Sequence, residues 1–185
     1  MRYNNKNVLL PEPWVQPGPA NNEIWYTSTD GNIVTPTLQS SLPNMVSDTY
    51  SDGKGIIKFA SDITSIVIDA FAECTSLSSV TIPNSVTSIG DGAFIGCTSL
   101  SSVTIPNSVT SIEEAAFADC EGLPSVTIPN SVTNIGSGAF IACTNLTSIS
   151  YTGTISQYIA ISKGNNWHLN VPAKTVHCTD GDTPI

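Results

Sequence analysis

The sequence predicts a repeat solenoid: a β-rich stack of about four 23-residue coils, with non-repeat caps at both ends. Three observations predict it. The nonapeptide Ser-Val-Thr-Ile-Pro-Asn-Ser-Val-Thr occurs unchanged at 79–87, 102–110 and 125–133. Phe71, Phe94, Phe117 and Phe140 keep the same 23-residue spacing, as do Cys74, Cys97, Cys120 and Cys143. Leu77, Leu100, Leu123 and Leu146, and Ile66, Ile89, Ile112 and Ile135, form two further columns in that register. A period of this length means units that pack on their neighbours and cannot bury an apolar face alone.

Taken in order, residues 1–21 are an extended Pro-rich arm. Pro11, Pro13, Pro17 and Pro19, with Trp14 among them, sustain neither a helix nor a central strand. Residues 22–53 are predicted as an N-terminal β-hairpin cap. Ile24–Thr27 and Asn32–Thr35 read as strands joined through Asp30-Gly31, and Asp52-Gly53 marks a second turn. Residues 54–150 are the solenoid. In Ser79-Val80-Thr81-Ile82 apolar and polar residues alternate, so Val80 and Ile82 face inward and Ser79 and Thr81 outward. Pro83-Asn84-Ser85 turns the chain, Val86 and Ile89 make a second inward pair, and Gly90-Asp91-Gly92 turns it again. Ala93, Phe94 and Cys97 are spaced for a short helical turn that buries Phe94. Residues 151–185 are a C-terminal cap and tail. Thr154 caps a helix containing Ile155, Tyr158, Ile159 and Ile161, Gly164 stops it, Trp167 packs over the final coil, and Val171–Cys178 holds a last strand.

The unit Leu-x-x-Val-x-Ile-Pro-x-x-Val-x-x-Ile-x-x-x-Ala-Phe-x-x-Cys resembles the leucine-rich repeats of the BspA-like bacterial surface proteins, from about Ile56 to Leu146. Asn22–Ser28 and Ser51–Gly55 look like the segment that leads into such repeats, and His177-Cys178-Thr179-Asp180-Gly181 like the one that closes them. The resemblance implies a right-handed leucine-rich-repeat stack of the α/β horseshoe type. It implies cell adhesion or protein binding at the bacterial cell surface, with no catalytic residues. The family usually carries an export signal. Here the polar start and the short Val8–Leu10 run give no signal-peptide core, which sets a virion location beside the cell surface.

Composition narrows the partners. Fifteen acids against six bases give a net charge of −9, which argues against nucleic acid and against an anionic membrane. No apolar run approaches the length of a membrane span. Charged residues make up 11 %, while 40 % are hydrophobic, so disorder is not expected. Five Cys, an odd number, read as mostly reduced thiols.

The candidate binding residues are Ser79, Thr81, Ser102, Thr104, Ser125 and Thr127, a flat uncharged grid of hydroxyls suited to a protein or glycan ligand. Pro11, Pro13, Trp14 and Pro17 are a candidate partner-docking arm. Docking through that arm would suit a homo-oligomer, or a phage virion fibre or decoration subunit, the alternative function. No catalytic set is expected: phosphate loop, paired carboxylates and placed nucleophile are all lacking. No cofactor or metal is expected either. The Cys column reads as small buried residues filling a layer, and His177, Cys178, Asp180 and Asp182 as part of the closing segment. Asp91, Glu113, Glu114, Asp119 and Glu121 read as a solvated acidic edge.

Overall fold

The computed structural model describes residues 18–36 and 44–185. At the front, β1 is Glu23–Ser28, β2 is Met45–Ser51 and β3 is Lys54–Phe59. β2 and β3 form an antiparallel hairpin through Asp52 and Gly53, whose φ angles of 51° and 78° are the two positive values of a tight primed turn. β1 lies between β3 and β5 (Leu77–Thr81) and pairs antiparallel with both. Ile24 and Tyr26 of β1 are buried, so its inner face continues the core while its backbone covers the first sheet edge.

The hairpin expected through Asp30-Gly31 does not form. Asp30 does turn the chain, its carboxylate accepting from the Asn32 N–H at 3.0 Å. Residues 32–36 then run on without strand pairing, because both edges of β1 are already taken. Val34 is buried instead, and its N–H donates to the Tyr26 hydroxyl at 3.3 Å.

Two parallel rows of strands make the solenoid. One row is β4 (Ser65–Ile66), β6 (Ser88–Ile89), β8 (Ser111–Ile112), β10 (Asn134–Ile135) and β12 (Ser162–Lys163). The other is β5, β7 (Ser102–Thr104), β9 (Ser125–Ile128), β11 (Ser148–Tyr151) and β13 (Thr175–Cys178). β14 (Gly181–Pro184) folds back antiparallel on β13 and closes the far edge. The rows hold five coils, where the sequence period gave about four. The fifth lies within the segment expected to be only cap. Its Ser162 pairs with Asn134, 28 positions earlier, and the extra length carries α1 (Ile155–Ala160). Thr154 caps α1 through a reciprocal capping box with Gln157. The helix ends at an extended Ile161, not at Gly164. Gly164 instead lies against the Gly136–Ser137 backbone, where a Cβ would overlap the Ser137 amide.

The second row is interrupted once, between β7 and β9. Pro124 accounts for it. The Ser101 N–H donates to the Ser78 carbonyl at 2.9 Å and the Thr147 N–H to the Pro124 carbonyl at 3.0 Å. Pro124 stands in the same column and has no N–H to give to the coil before it.

The expected helical turn around Phe94 is a run of separate tight turns. Ala93, Ile95 and Cys97 N–H groups bond back to Gly90, Gly92 and Phe94, while Gly92, Phe94 and Gly96 donate to Glu114, Ala116 and Ala118 of the next coil. Two residues per coil are left-handed, which no helix admits: Asp69 and Glu73, Gly92 and Gly96, Ala115 and Asp119, Gly138 and Ala142, Asn166 and Asn170. Ala115 has φ 52° in the column where Gly92 and Gly138 stand. Ala115→Gly should therefore stabilise the fold by about 1 kcal/mol in urea unfolding, the left-handed penalty outweighing the added chain entropy of Gly.

The core runs along the axis. Phe71, Phe94, Phe117 and Phe140 stack near-parallel at 5.2 Å between ring centroids, and Trp167 closes the column edge-on to Phe140.

Candidate binding face

The outward residues of β5, β7 and β9 are the six predicted hydroxyls. Ser79 pairs with Ser102 and Thr81 with Thr104 across one parallel ladder. Ser125 and Thr127 pair with Ser148 and Ser150 of β11, so the polar strip continues one coil further than expected. Ser102, Thr104, Ser125 and Thr127 are exposed, whereas Ser79 and Thr81 are half-buried beside β1.

Hydroxyls in this protein do two different jobs. Thr87, Thr110 and Thr133 donate to the carbonyls of Thr64, Thr87 and Thr110, each to the coil before. Ser108 and Ser131 donate to Val86 and Val109 at 2.6 Å. Ser101 and Thr147 donate to Ser78 and Pro124. These side chains staple coil to coil. Ser102, Thr104, Ser125 and Thr127 make no such bond among the described residues and present their hydroxyls to solvent. Ser79 differs: its hydroxyl lies 2.6 Å from that of Thr27.

β1 extends the face in a way the sequence reading missed. Trp25 stands opposite Thr81 and Thr27 opposite Ser79, and Lys54 of β3 places its Nζ 3.0 Å from the Trp25 ring centroid. Alternation within Glu23–Ser28 put Trp25 and Thr27 on one side of a strand. Nothing local said that this strand would pair with β5.

The other sequence candidates resolve individually. Pro11, Pro13, Trp14 and Pro17 lie outside the described residues. Cys97, Cys120 and Cys143 are buried, and each thiol donates to the Phe carbonyl of the preceding coil, Phe71, Phe94 and Phe117, at 3.0–3.2 Å. Burial pushes all three thiols well up, Cys143 to about 12. His177 and Asp182 form an exposed pair at 2.8 Å. Burial, then Asp180 and Asp182, push the Cys178 thiol up, the reverse of an activated nucleophile. Asp91, Glu114, Asp119 and Glu121 are exposed and Glu113 half-buried, and the Asp91 carboxylate accepts from the Glu114 N–H. Among the described residues no three His, Cys, Asp or Glu side chains converge as metal ligands would, and no helix is long and apolar enough to cross a membrane.

Stacked coils, four of them carrying a buried Leu (Leu77, Leu100, Leu123, Leu146) and a buried Cys (Cys74, Cys97, Cys120, Cys143), define a leucine-rich-repeat solenoid. Residues 53–162 match, in six copies, the family described as the BspA type leucine rich repeat region. The chain belongs to that family. Among solved structures it is similar to a leucine rich cell surface protein of Faecalibacterium prausnitzii, 35% identical over 56% of this chain and 34% of that one, TM-score 0.44. A leucine-rich repeat protein of Bacteroides capillosus is 26% identical over 86% of this chain and 96% of that one, TM-score 0.45. The pneumococcal vaccine antigen PcpA shares the fold at 18% identity over 71% of this chain and 36% of its own, TM-score 0.51. This chain spans about a third of the length of the Faecalibacterium protein. No curated protein matches it.

Proposed function

We propose that this chain is a non-catalytic recognition and adhesion module of a bacterial surface, presenting the strip of Ser79, Thr81, Ser102, Thr104, Ser125 and Thr127 to a protein or glycan. The observation that carries the reading is the division of labour among hydroxyls. The stapling columns are spent on neighbouring carbonyls, whereas Ser102, Thr104, Ser125 and Thr127 stay exposed on a flat, uncharged sheet face. Short side chains lose little rotamer freedom on contact, so such a face engages a partner at low entropic cost.

The test is binding of the labelled full chain to arrayed glycans and immobilised matrix proteins. The double variant Thr104→Lys/Thr127→Lys changes the face without touching the core. It should lose about tenfold or more in affinity, as expected for bulk and charge set into a contact. Thr98→Lys, on an exposed turn of another side, should bind as the parent does. Equal binding by all three proteins, or no binding by the parent, would overturn the reading.

A further inference from the structure

The polar strip ends, on its N-terminal side, in a feature unlike the rest of the face. Trp25, Tyr26, Thr27, Lys54, Ser79 and Thr81 line an open hollow of about 320 Å³. Its indole is held in place: Trp25 Nε1 donates to Glu23 Oε2 at 3.0 Å, while Glu23 Oε1 lies 3.8 Å from Lys58 Nζ. The nearest carboxylate is thus already engaged through both oxygens. Lys54 is different. Among the described residues it has no carboxylate partner, although the chain carries 15 acids to 6 bases, and it sits over the ring instead. No Lys or Arg occurs between Ala60 and Ser162, so Lys54 supplies a positive charge beside an otherwise uncharged strip.

A fixed aromatic ring, an ammonium without a carboxylate partner and a row of hydroxyls are the three contacts an acidic sugar needs. The apolar C–H face of a pyranose packs on an aromatic ring. Its hydroxyls meet groups that donate or accept: the Thr81 hydroxyl can do both, while Thr27 and Ser79, bonded to each other at 2.6 Å, keep lone pairs that accept. A carboxylate takes a charge-assisted bond from a lysine. We propose that this hollow binds the carboxylated unit of an acidic glycan, a uronate or a sialate, with its carboxylate on Lys54 and its ring against Trp25. The proposal rests on the reading of the Ser/Thr strip as a recognition face and names the ligand class for its N-terminal end. An acidic peptide would satisfy Lys54 but has no use for the indole and hydroxyls together.

The experiment is calorimetric titration of the full chain at low salt with two matched pairs: trigalacturonate against its methyl ester, and 3′-sialyllactose against lactose. Tetraglutamate serves as the peptide probe. At least one acid should bind saturably and about tenfold or more tighter than its uncharged partner, the size of one charge-assisted hydrogen bond. Lys54→Met should remove that preference and Lys54→Arg should keep it. Trp25→Ala, checked for folding by circular dichroism, should weaken both members of the pair. Which pair responds separates uronate from sialate. The proposal is overturned if neither acid binds saturably, if Lys54→Met binds like the parent, or if tetraglutamate binds as tightly as the sugars. Its failure is distinguishable from that of the broader reading. Array binding lost in Thr104→Lys/Thr127→Lys but retained in Lys54→Met would leave the face standing and remove the acidic-sugar site.

Discussion

Phe117→Ala should lower the unfolding free energy by about 3–5 kcal/mol, the usual cost of emptying a fully buried aromatic site. The position is chosen for its neighbours. Phe117 stacks on Phe94 on one side and Phe140 on the other, both at 5.2 Å, so removing its ring leaves two aromatic faces without a partner. The void also cannot close cheaply. Collapse along the axis is opposed by the coil-to-coil bonds that flank the ring, Phe94 N–H to Ala116 and Phe117 N–H to Ala139, both 2.8 Å. A domain of this size is stable by only about 5–15 kcal/mol. The loss should therefore show as a large drop in the urea midpoint by far-ultraviolet circular dichroism. Phe117→Leu, which keeps most of the volume, should cost less than half as much. A shift under about 1 kcal/mol for the alanine variant would mean that the stack relaxes into the void, contrary to the packing described.

The part of the fold that sequence reveals is the part where columns repeat. Phe94 and Phe117 announce each other because their neighbours are the same residues in the same order. The fifth coil breaks that signal at most places, although Val176 still stands opposite Ile149 and Gly164 where Gly136 stood. Lys163 stands where Ile135 stood, Trp167 and His168 stand where Ala139 and Phe140 stood, and the α1 insertion shifts the register. What holds this coil is backbone pairing, the Trp167–Phe140 contact and the buried Ile161, Val171 and Val176, whose spacing no longer follows the 23-residue period. The left-handed positions were hidden for a related reason. Glu73 and Ala115 are not residues that ask for positive φ, and only their columns, shared with Gly96 and Gly92, show that the backbone requires it. The cap failed locally: Asp30-Gly31 and Asp52-Gly53 carry the same hairpin signal, and which one joins paired strands was decided by the capture of β1 on β5. The binding face divides in the same way. Its six repeat hydroxyls follow from alternation, whereas Trp25 and Lys54 reach it only through that long-range pairing.

Stability should fall steeply above pH 9, and the thiol column is the reason. A Cys thiol ordinarily ionises at 9.0, but burial raises Cys97, Cys120 and Cys143 far above that in the folded chain. Well below pH 9 these groups are protonated in both states and add no pH dependence. Above it the unfolded chain releases three protons that the folded chain retains, so unfolding is favoured as pH rises towards the folded values. Each thiol contributes about 1.4 kcal/mol of lost stability per pH unit, and three together about 4 kcal/mol per unit. Burial and the Asp48 contact push Tyr26 the same way, and burial carries Tyr158 to about 12, which adds to the slope once free tyrosines ionise. Between pH 9 and 10.5 the thiols alone should therefore remove about 5 kcal/mol, comparable to the whole stability of many domains of this size. The check is a series of urea midpoints between pH 8 and 10.5 in reducing buffer. Cys120→Ala separates the thiol contribution from the rest. It lowers stability at pH 8, because it removes a buried side chain and its 3.2 Å bond to the Phe94 carbonyl. It should nevertheless flatten the alkaline slope by about a third, since one of three equal proton releases is gone. A slope unchanged in Cys120→Ala, or a parent profile flat to pH 10.5, would show that the thiols ionise without opening the stack.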